Sequence, residues 1–226
     1  LVVLFHYDLL FVSGFLGVDI FFVLSGFLIT KILEETEKKK DWILFFFNKR
    51  FRRILPILYM TIFCVMILSI FIFSPAHLER ISDSALHAIF GISNIFFDNE
   101  NGYFDYTKNF KPFLHTWSLS VELQLYLIWF FVYFFFLKNF KSYKYLIILC
   151  LIFSSLILSI IYSNRATFFF YFTGFRIYEF AFGALAYYLI KEKKKMFFGD
   201  FTFIISFLFI FLFSIFFTDN SEFETG

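Results

Sequence analysis

Residues 54–73 read ILPILYMTIFCVMILSIFIF and contain no charged side chain. A helix needs about 20 mostly apolar residues to cross a bilayer, and in hydrocarbon it satisfies all of its own backbone hydrogen-bonding groups. This stretch therefore predicts a membrane-spanning helix. Further spans are predicted at 15–33, 118–137, 145–163, 168–190 and 201–217, with residues 1–12 as the second half of another. The fold class that follows is all-α, a polytopic transmembrane helix bundle with about seven spans.

The composition of the whole chain agrees with this interpretation. Of its 226 residues, 60% are hydrophobic, 17% are charged and 44 are Phe, whereas soluble domains average about 45–50% apolar and about 25% charged residues. This composition excludes a water-soluble single domain, because a domain of this size has too large a surface relative to its core to bury 44 Phe side chains. It also excludes disorder, because disordered chains contain few aromatic residues. Cys64 and Cys150 lie within apolar runs and lack a partner at metal-ligand spacing, so we expect packing residues and no metal site.

Positive charge is concentrated in three loops, within residues 38–53, 138–144 and 191–195. The positive-inside rule places all three in the cytoplasm. The segment 74–117 then starts and ends outside, so its apolar stretch 84–97 is expected to be re-entrant or interfacial and not a span. Because the basic clusters are short and lie next to spans, the bilayer is the expected partner and nucleic acid is not.

Ionisable residues inside spans cost roughly 2.5–3.5 kcal/mol each on insertion, so each of them marks a candidate functional position. His6 lies on the first helix. It is either a base that exchanges a proton near pH 7 or a structural histidine bonded to a neighbouring carbonyl. The others are Asp8, Asp19, Glu122, Arg176 and Glu179, and His115 lies just before a span.

The stretch LHTWSLSVE, which ends at Glu122, combines polar and aromatic residues where a helix is predicted to begin. Ser118 or Ser120 is expected to cap that helix, and Glu122 falls within its first two turns, where the helix dipole favours a carboxylate. A capping box with an interfacial Trp117 is the structural alternative. That alternative leaves His115 unexplained.

Two arginine patterns and one glycine-containing span complete the set of candidates. Arg176 and Glu179 are three residues apart and can pair on one helix face, and a structural pair that orients two helices is favoured over a catalytic one. Arg50 and Arg53 precede a span, where they either anchor it to anionic lipid or bind phosphates. The block GFLGVDIFFVLSGFLIT at 14–30 puts small residues on a span, and small residues allow close helix approach.

Together these blocks resemble the membrane-bound acyltransferase 3 family of bacteria, which includes the sugar O-acetyltransferases. Leu123 stands where the family usually has a second Glu, and Tyr178 stands where Trp is common. The resemblance identifies residues 1–226 as one acyltransferase-like transmembrane domain that is expected to be truncated at the N-terminus and at the C-terminus. It rests on FHY at 5–7, the 14–30 block, RFRRILP at 50–56, LHTWSLSVE at 114–122, FRIYE at 175–179 and Gly183.

The resemblance implies transfer of an acyl group, usually acetyl, from cytoplasmic acyl-CoA to a hydroxyl of an envelope glycan such as O-antigen, exopolysaccharide or peptidoglycan. The protein would be a multi-pass protein of the bacterial cytoplasmic (inner) membrane. It would use acyl-CoA as co-substrate and bind no cofactor. His6, His115 and Glu122 would be catalytic, and Arg50 and Arg53 would bind the donor. The polar residues that line or support a channel would be Asp19, Ser25, Trp117, Ser118, Ser120, Arg176 and Glu179.

Two alternatives remain open at this point. A small-solute transporter would explain buried charges, but it predicts related halves with broken helices, and the sequence shows no internal repeat. A degenerate, non-catalytic family member would keep the fold without the activity.

Overall fold

The computed structural model describes residues 16–100, 111–162 and 166–192. The predictions made for His6 and Asp8, and for spans at 1–12 and 201–217, lie outside these ranges. Within them the regular structure is helical and contains no strand, which confirms the all-α transmembrane bundle.

Eight α-helices are present in the described ranges. A π-helical turn at Tyr133–Leu137 continues the fifth helix, and 3₁₀ turns at Lys141–Tyr143 and Thr173–Arg176 precede the sixth and the eighth. The helices are α1 (Leu16–Thr36), α2 (Trp42–Ile72), α3 (Pro75–Ile89), α4 (Ser93–Asn99), α5 (Thr116–Val132), α6 (Lys144–Ile161), α7 (Ala166–Tyr171) and α8 (Ile177–Glu192).

Three helical segments of the described chain are long and apolar enough to cross a membrane: Trp42–Ile72, Thr116–Leu137 and Lys141–Ile161. They correspond to the predicted spans at 54–73, 118–137 and 145–163. The first begins twelve residues earlier than predicted, because the basic segment before residue 54 continues the helix. With 31 residues α2 is about 46 Å long at 1.5 Å per residue, more than the roughly 30 Å of hydrocarbon.

The predicted continuous span at 168–190 is wrong, because the chain is extended at Phe172 between α7 and the next turn. The hydroxyl of Thr173 donates a hydrogen bond to the side chain of Gln124 on α5, and the oxygen of Gly174 accepts one from Ser155 on α6 at 2.8 Å. These contacts with neighbouring helices replace hydrogen bonds within the helix. The break places Arg176 at the start of α8.

Helices α1 and α8 pack closely against each other. A Cβ atom added at Gly26 would lie 2.1 Å from the backbone oxygen of Phe180, and one added at Gly183 would lie 2.0 Å from the backbone oxygen of Val23. The two helices therefore touch backbone to backbone, the packing that small residues permit in membranes. Gly26 belongs to the 14–30 block, whose small residues allow close helix approach, and it marks such a contact, with Gly183 as its counterpart on α8.

The described parts of the three basic segments, which end at residue 192 in the third, come together at one end of the bundle, where α1, α5 and α8 finish and α2 and α6 begin; we call it the basic end. The hydrogen bond from Lys144 lowers the pKa of the exposed Glu192 carboxyl at this end. The shared location agrees with the prediction that these segments lie on one side of the membrane. Three ion pairs join the second and third segments to each other and to the end of α1: Lys144–Glu192 at 2.5 Å, Glu37–Lys141 at 3.6 Å and Glu34–Lys191 at 2.7 Å.

The stretch 84–97 belongs to two short helices, α3 and α4, which have 15 and 7 residues. Gly91 joins them with a φ of 68°, a conformation that glycine adopts without steric penalty. Neither helix reaches the length needed to cross the membrane, so the prediction that this stretch is not a span is confirmed.

Candidate active site

Glu122 on α5 is a buried carboxylate of the described bundle, with 4% of its surface exposed. It lies at the end of the second turn of α5, as predicted. Its Oε1 accepts a hydrogen bond from the Ser25 hydroxyl of α1 at 3.1 Å and another from the Tyr126 hydroxyl, one turn further along α5. Two donors from two helices therefore hold this carboxylate in the interior, as a buried charge requires.

Arg50 on α2 completes this group, and we call Ser25, Arg50, Glu122 and Tyr126 the core cluster. Arg50 is 6% exposed, and its guanidinium lies 5.6 Å from the centre of the Tyr126 ring, within the range of a cation–π contact. Its Nε has no hydrogen-bond partner within the described residues. The core cluster thus contains a buried cation that retains an unused donor.

Arg53, the second predicted donor-binding residue, is exposed while Arg50 is buried. An offset of three residues turns the side chain by about 60° around a helix, which is enough to separate an inward from an outward position. The structure therefore does not place the two guanidinium groups side by side on the surface.

A second buried polar group joins α1 to the start of α8. The Nη1 atom of Arg176 lies 2.8 Å from Oε1 of Glu179 and 2.9 Å from Oδ1 of Asp19. The predicted Arg176–Glu179 pair is confirmed, and Asp19 is a third member that spacing along the sequence did not indicate. We call these three residues the ion triad, and it links two helices.

Around the start of α5 the structure corrects the predicted cap. The helix begins at Thr116, so Ser118 and Ser120 lie inside it and neither caps it. The hydroxyl of Ser118 donates to the backbone oxygen of His115 at 3.3 Å. Ser120 is buried, and its hydroxyl lies 2.8 Å from that of Ser93 on α4.

The indole of Trp117 is 3% exposed. Its ring centre lies 4.5 Å from that of Phe170 and 5.5 Å from that of Tyr171. Trp117 therefore packs α5 against α7 inside the bundle.

His115 is exposed at the first residue before α5. Glu122 lies seven positions further along the chain, about 10 Å along a helix axis, so the structure does not bring His115 into the core cluster. In the residues that the structure describes, no group of His, Cys, Asp and Glu side chains could hold a metal ion.

Sequence reasoning missed an amide network beside the core cluster. The Nε2 atom of Gln124 donates to Oδ1 of Asn94 at 2.8 Å, and Asn94 donates to the backbone oxygen of Tyr171 at 3.0 Å. Gln124 also accepts a hydrogen bond from Thr173. The available signal was the placement of Asn94 and Gln124 in otherwise apolar segments, since buried amides need partners.

Comparison with known proteins gives the family. The acyltransferase domain family matches residues 1–224. Peptidoglycan O-acetyltransferase OatA of Listeria monocytogenes is 42% identical over 125 residues, 52% of this chain and 19% of the relative. O-acetyltransferase OatA of Staphylococcus aureus (strain NCTC 8325) is 37% identical over 145 residues, 62% of this chain and 24% of the relative.

The matched regions cover about a quarter or less of the length of these two relatives. No solved structure matches the chain. Because the family match extends over nearly the entire sequence, the chain belongs to the acyltransferase domain family.

Proposed function

We propose that the protein is an integral-membrane O-acyltransferase that transfers an acyl group, usually acetyl, to a hydroxyl of a cell-envelope glycan. The observation that carries this proposal is the acyltransferase domain match over residues 1–224. The name of the Listeria relative supports peptidoglycan as the first acceptor to test. The buried polar groups of the core cluster fit an enzyme better than a simple membrane anchor, because such groups are costly in a membrane.

The donor is proposed to be acyl-CoA, bound from the basic end. Arg53 is exposed and can bind phosphate groups of the donor in water. Arg50 is buried, and its Nε, which has no hydrogen-bond partner within the described residues, can bind a part of the donor that enters the bundle more deeply. The positive-inside rule would place the basic end in the cytoplasm, where acyl-CoA is made. The protein would then be a multi-pass protein of the bacterial inner membrane.

The acceptor hydroxyl needs a base, because it is a poor nucleophile at neutral pH. His6 is proposed to take this proton or to carry the acyl group transiently. Glu122 would hold the Tyr126 hydroxyl and balance the charge of Arg50 between the two ends of the bundle. His115, exposed at the end opposite the basic end, would act close to the acceptor.

The test expresses the full-length gene in a bacterial host that lacks its own envelope O-acetyltransferases. Acetate released by mild alkali from purified glycan is measured, and intact glycan fragments are examined by mass spectrometry. The wild-type protein should produce O-acetylated glycan. The His6→Ala variant should produce none while reaching the same level in the membrane.

Two outcomes would contradict this scheme at different points. Normal acetylation by the His6→Ala variant would remove His6 from the mechanism but leave the activity in place. No acetylation by correctly inserted wild-type protein would contradict the activity itself and favour a non-catalytic family member.

A further inference from the structure

A cleft of about 190 Å³ lies between α3, α4 and the residues just before α5, apart from the core cluster. Its position near α3 is at the end of the bundle opposite the basic end, because α3 follows the far end of α2. The polar and aromatic residues that line it include His77, Arg80, Ser84, Phe97, Glu100 and Lys111. Neither the core cluster nor the ion triad contributes a residue to it.

The charges of this cleft are arranged around one carboxylate. Arg80 reaches Oε1 of Glu100 through Nε at 2.5 Å, and Nζ of Lys111 lies 3.8 Å from Oε2 of the same residue. Two cationic side chains of the cleft thus contact the same carboxylate. The side chain of Arg80 is 56% exposed, and only its Nε contacts Glu100, so its two terminal nitrogens remain able to form a paired contact with an anion.

The size of the cleft limits the ligand. Sites for complete small molecules usually have about 300–1,000 Å³, so this cleft suits one unit of a longer molecule. Phe96 and Phe97 supply apolar ring surface beside the charged groups. The Ser84 hydroxyl donates to the backbone oxygen of Ile81 at 2.7 Å, and its oxygen can still accept a hydrogen bond from a ligand hydroxyl. A sugar unit that carries an anionic group matches this combination.

The cleft is also connected to the core cluster through α4. Phe97 of the cleft lies one helical turn after Ser93 on the same face. The hydroxyl of Ser93 lies 2.8 Å from that of Ser120, which is two residues before Glu122 on α5. A glycan unit bound in the cleft would therefore contact α4, the helix that packs against α5 close to Glu122.

We propose that this cleft binds a carboxylate-bearing sugar unit of the glycan acceptor, with Arg80 as the residue that recognises the carboxylate. The proposal rests on the proposed function for the identity of the acceptor. Without ligand, Glu100 pairs with Arg80, so its carboxylate competes with the carboxylate of the ligand for the same guanidinium. Replacing Arg80 and replacing Glu100 should therefore have opposite effects on ligand binding.

The test measures binding directly, without acyl transfer, to full-length protein in phosphatidylcholine nanodiscs. The probes are the disaccharide of N-acetylglucosamine and N-acetylmuramic acid with its free carboxylate, the methyl ester of that disaccharide, and neutral chitobiose. Arg80→Gln should weaken binding of the acid about tenfold or more, the expected effect of losing a charged hydrogen bond. Glu100→Gln should strengthen it, and Lys31→Gln, in an exposed pair on α1, should leave it unchanged.

Opposite effects from the two cleft variants cannot come from a general loss of folding, since both break the same ion pair. Equal binding of the acid and its methyl ester, or unchanged binding by Arg80→Gln, would overturn the proposal. Displacement of the bound disaccharide by soluble glycerophosphoglycerol, the headgroup of phosphatidylglycerol, would show that the cleft takes an anionic lipid headgroup, which also overturns the proposal. A protein that binds the acid through Arg80 but transfers no acetate would contradict the proposed function alone.

Discussion

Tyr126 lies between a buried carboxylate and a buried guanidinium, and its hydroxyl is the group that the Tyr126→Phe variant removes. The variant keeps the ring under Arg50 but takes one hydrogen bond from Glu122. Hydrogen bonds to charged groups contribute about 1.5–3 kcal/mol, so we expect acyl transfer to fall about tenfold or more, mainly in kcat if this group acts during the reaction. Steady-state transfer in nanodiscs measures this.

The matched control for this variant is Tyr59→Phe, which removes the same hydroxyl from an exposed position on α2. It should retain the wild-type rate. A Tyr126→Phe enzyme with unchanged kcat would show that the core cluster only supports the fold.

The ion triad makes a separate prediction about stability. The Arg176→Met variant leaves the carboxylates of Asp19 and Glu179 without their cation, and breaking a buried ion pair costs about 3–5 kcal/mol. We expect a clear decrease in the melting temperature in detergent. Adding Asp19→Asn and Glu179→Gln to Arg176→Met should recover much of it, since no unpaired charge then remains.

An Arg176→Met variant as stable as the wild type would show that the triad does not hold α1 to α8. A triple variant as unstable as the single one would show that lost packing, and not unpaired charge, is responsible.

The residues of the site could be predicted from the sequence only where partners are close along the chain. Arg176 and Glu179 were predicted to pair because they lie three positions apart on one helix. Asp19 lies 157 residues from Arg176, and Ser25 lies 97 residues from Glu122. The spacing of residues within one helix does not indicate a partner that lies so far away along the sequence. Polar residues in apolar segments indicated that partners exist, but the identity of the partners depends on how the helices pack.

At the scale of the helices, the α1–α8 contact depends on two glycines. In the Gly183→Ala variant the new Cβ would lie 2.0 Å from the backbone oxygen of Val23 and 2.6 Å from the nitrogen of Phe27, so the helices must separate. Overpacking of this kind costs about 1–3 kcal/mol or more. We expect a lower melting temperature and loss of acyl transfer. Asp19 of the ion triad and Ser25, which binds Glu122, both lie on α1, so moving this helix disturbs both contacts.

The matched control is Gly174→Ala, whose Cβ would have its three nearest neighbours in the ring of Phe172, a side chain that can rotate away. Its effect on the melting temperature should be clearly smaller. Equal effects of the two substitutions would show that close backbone packing is not what makes Gly183 important.

The helices themselves were predictable to different degrees. Long apolar runs identified the segments Trp42–Ile72, Thr116–Leu137 and Lys141–Ile161, because a spanning helix needs little beyond length and hydrophobicity. The break at Phe172 was not predicted, since a run of aromatic residues leads into it and the whole segment has the length of a span. Contacts with α5 and α6 produce that break, and they exist only in the assembled bundle.

At the scale of the whole molecule, polar contacts follow α1 through the interior from Asp19 to Glu37. These residues are 18 positions apart, about 27 Å along a helix, close to the roughly 30 Å thickness of the hydrocarbon region. A series of polar side chains therefore extends between the two ends of the bundle. From one end to the other the contacts are Asp19–Arg176, Ser25–Glu122, Thr30–Trp129 and Glu37–Tyr133.

The orientation of this series in the membrane can be measured by cysteine labelling. Cys64 and Cys150 are both exposed on their helices and are first replaced by Ser. Lys39→Cys then marks the basic end, and Glu79→Cys marks the end that contains the cleft; both residues are exposed. With the basic end in the cytoplasm, a membrane-impermeant maleimide should label Glu79→Cys in intact cells and Lys39→Cys only after permeabilisation. The reverse pattern would place the cleft with the cytoplasm and contradict its proposed contact with an envelope glycan.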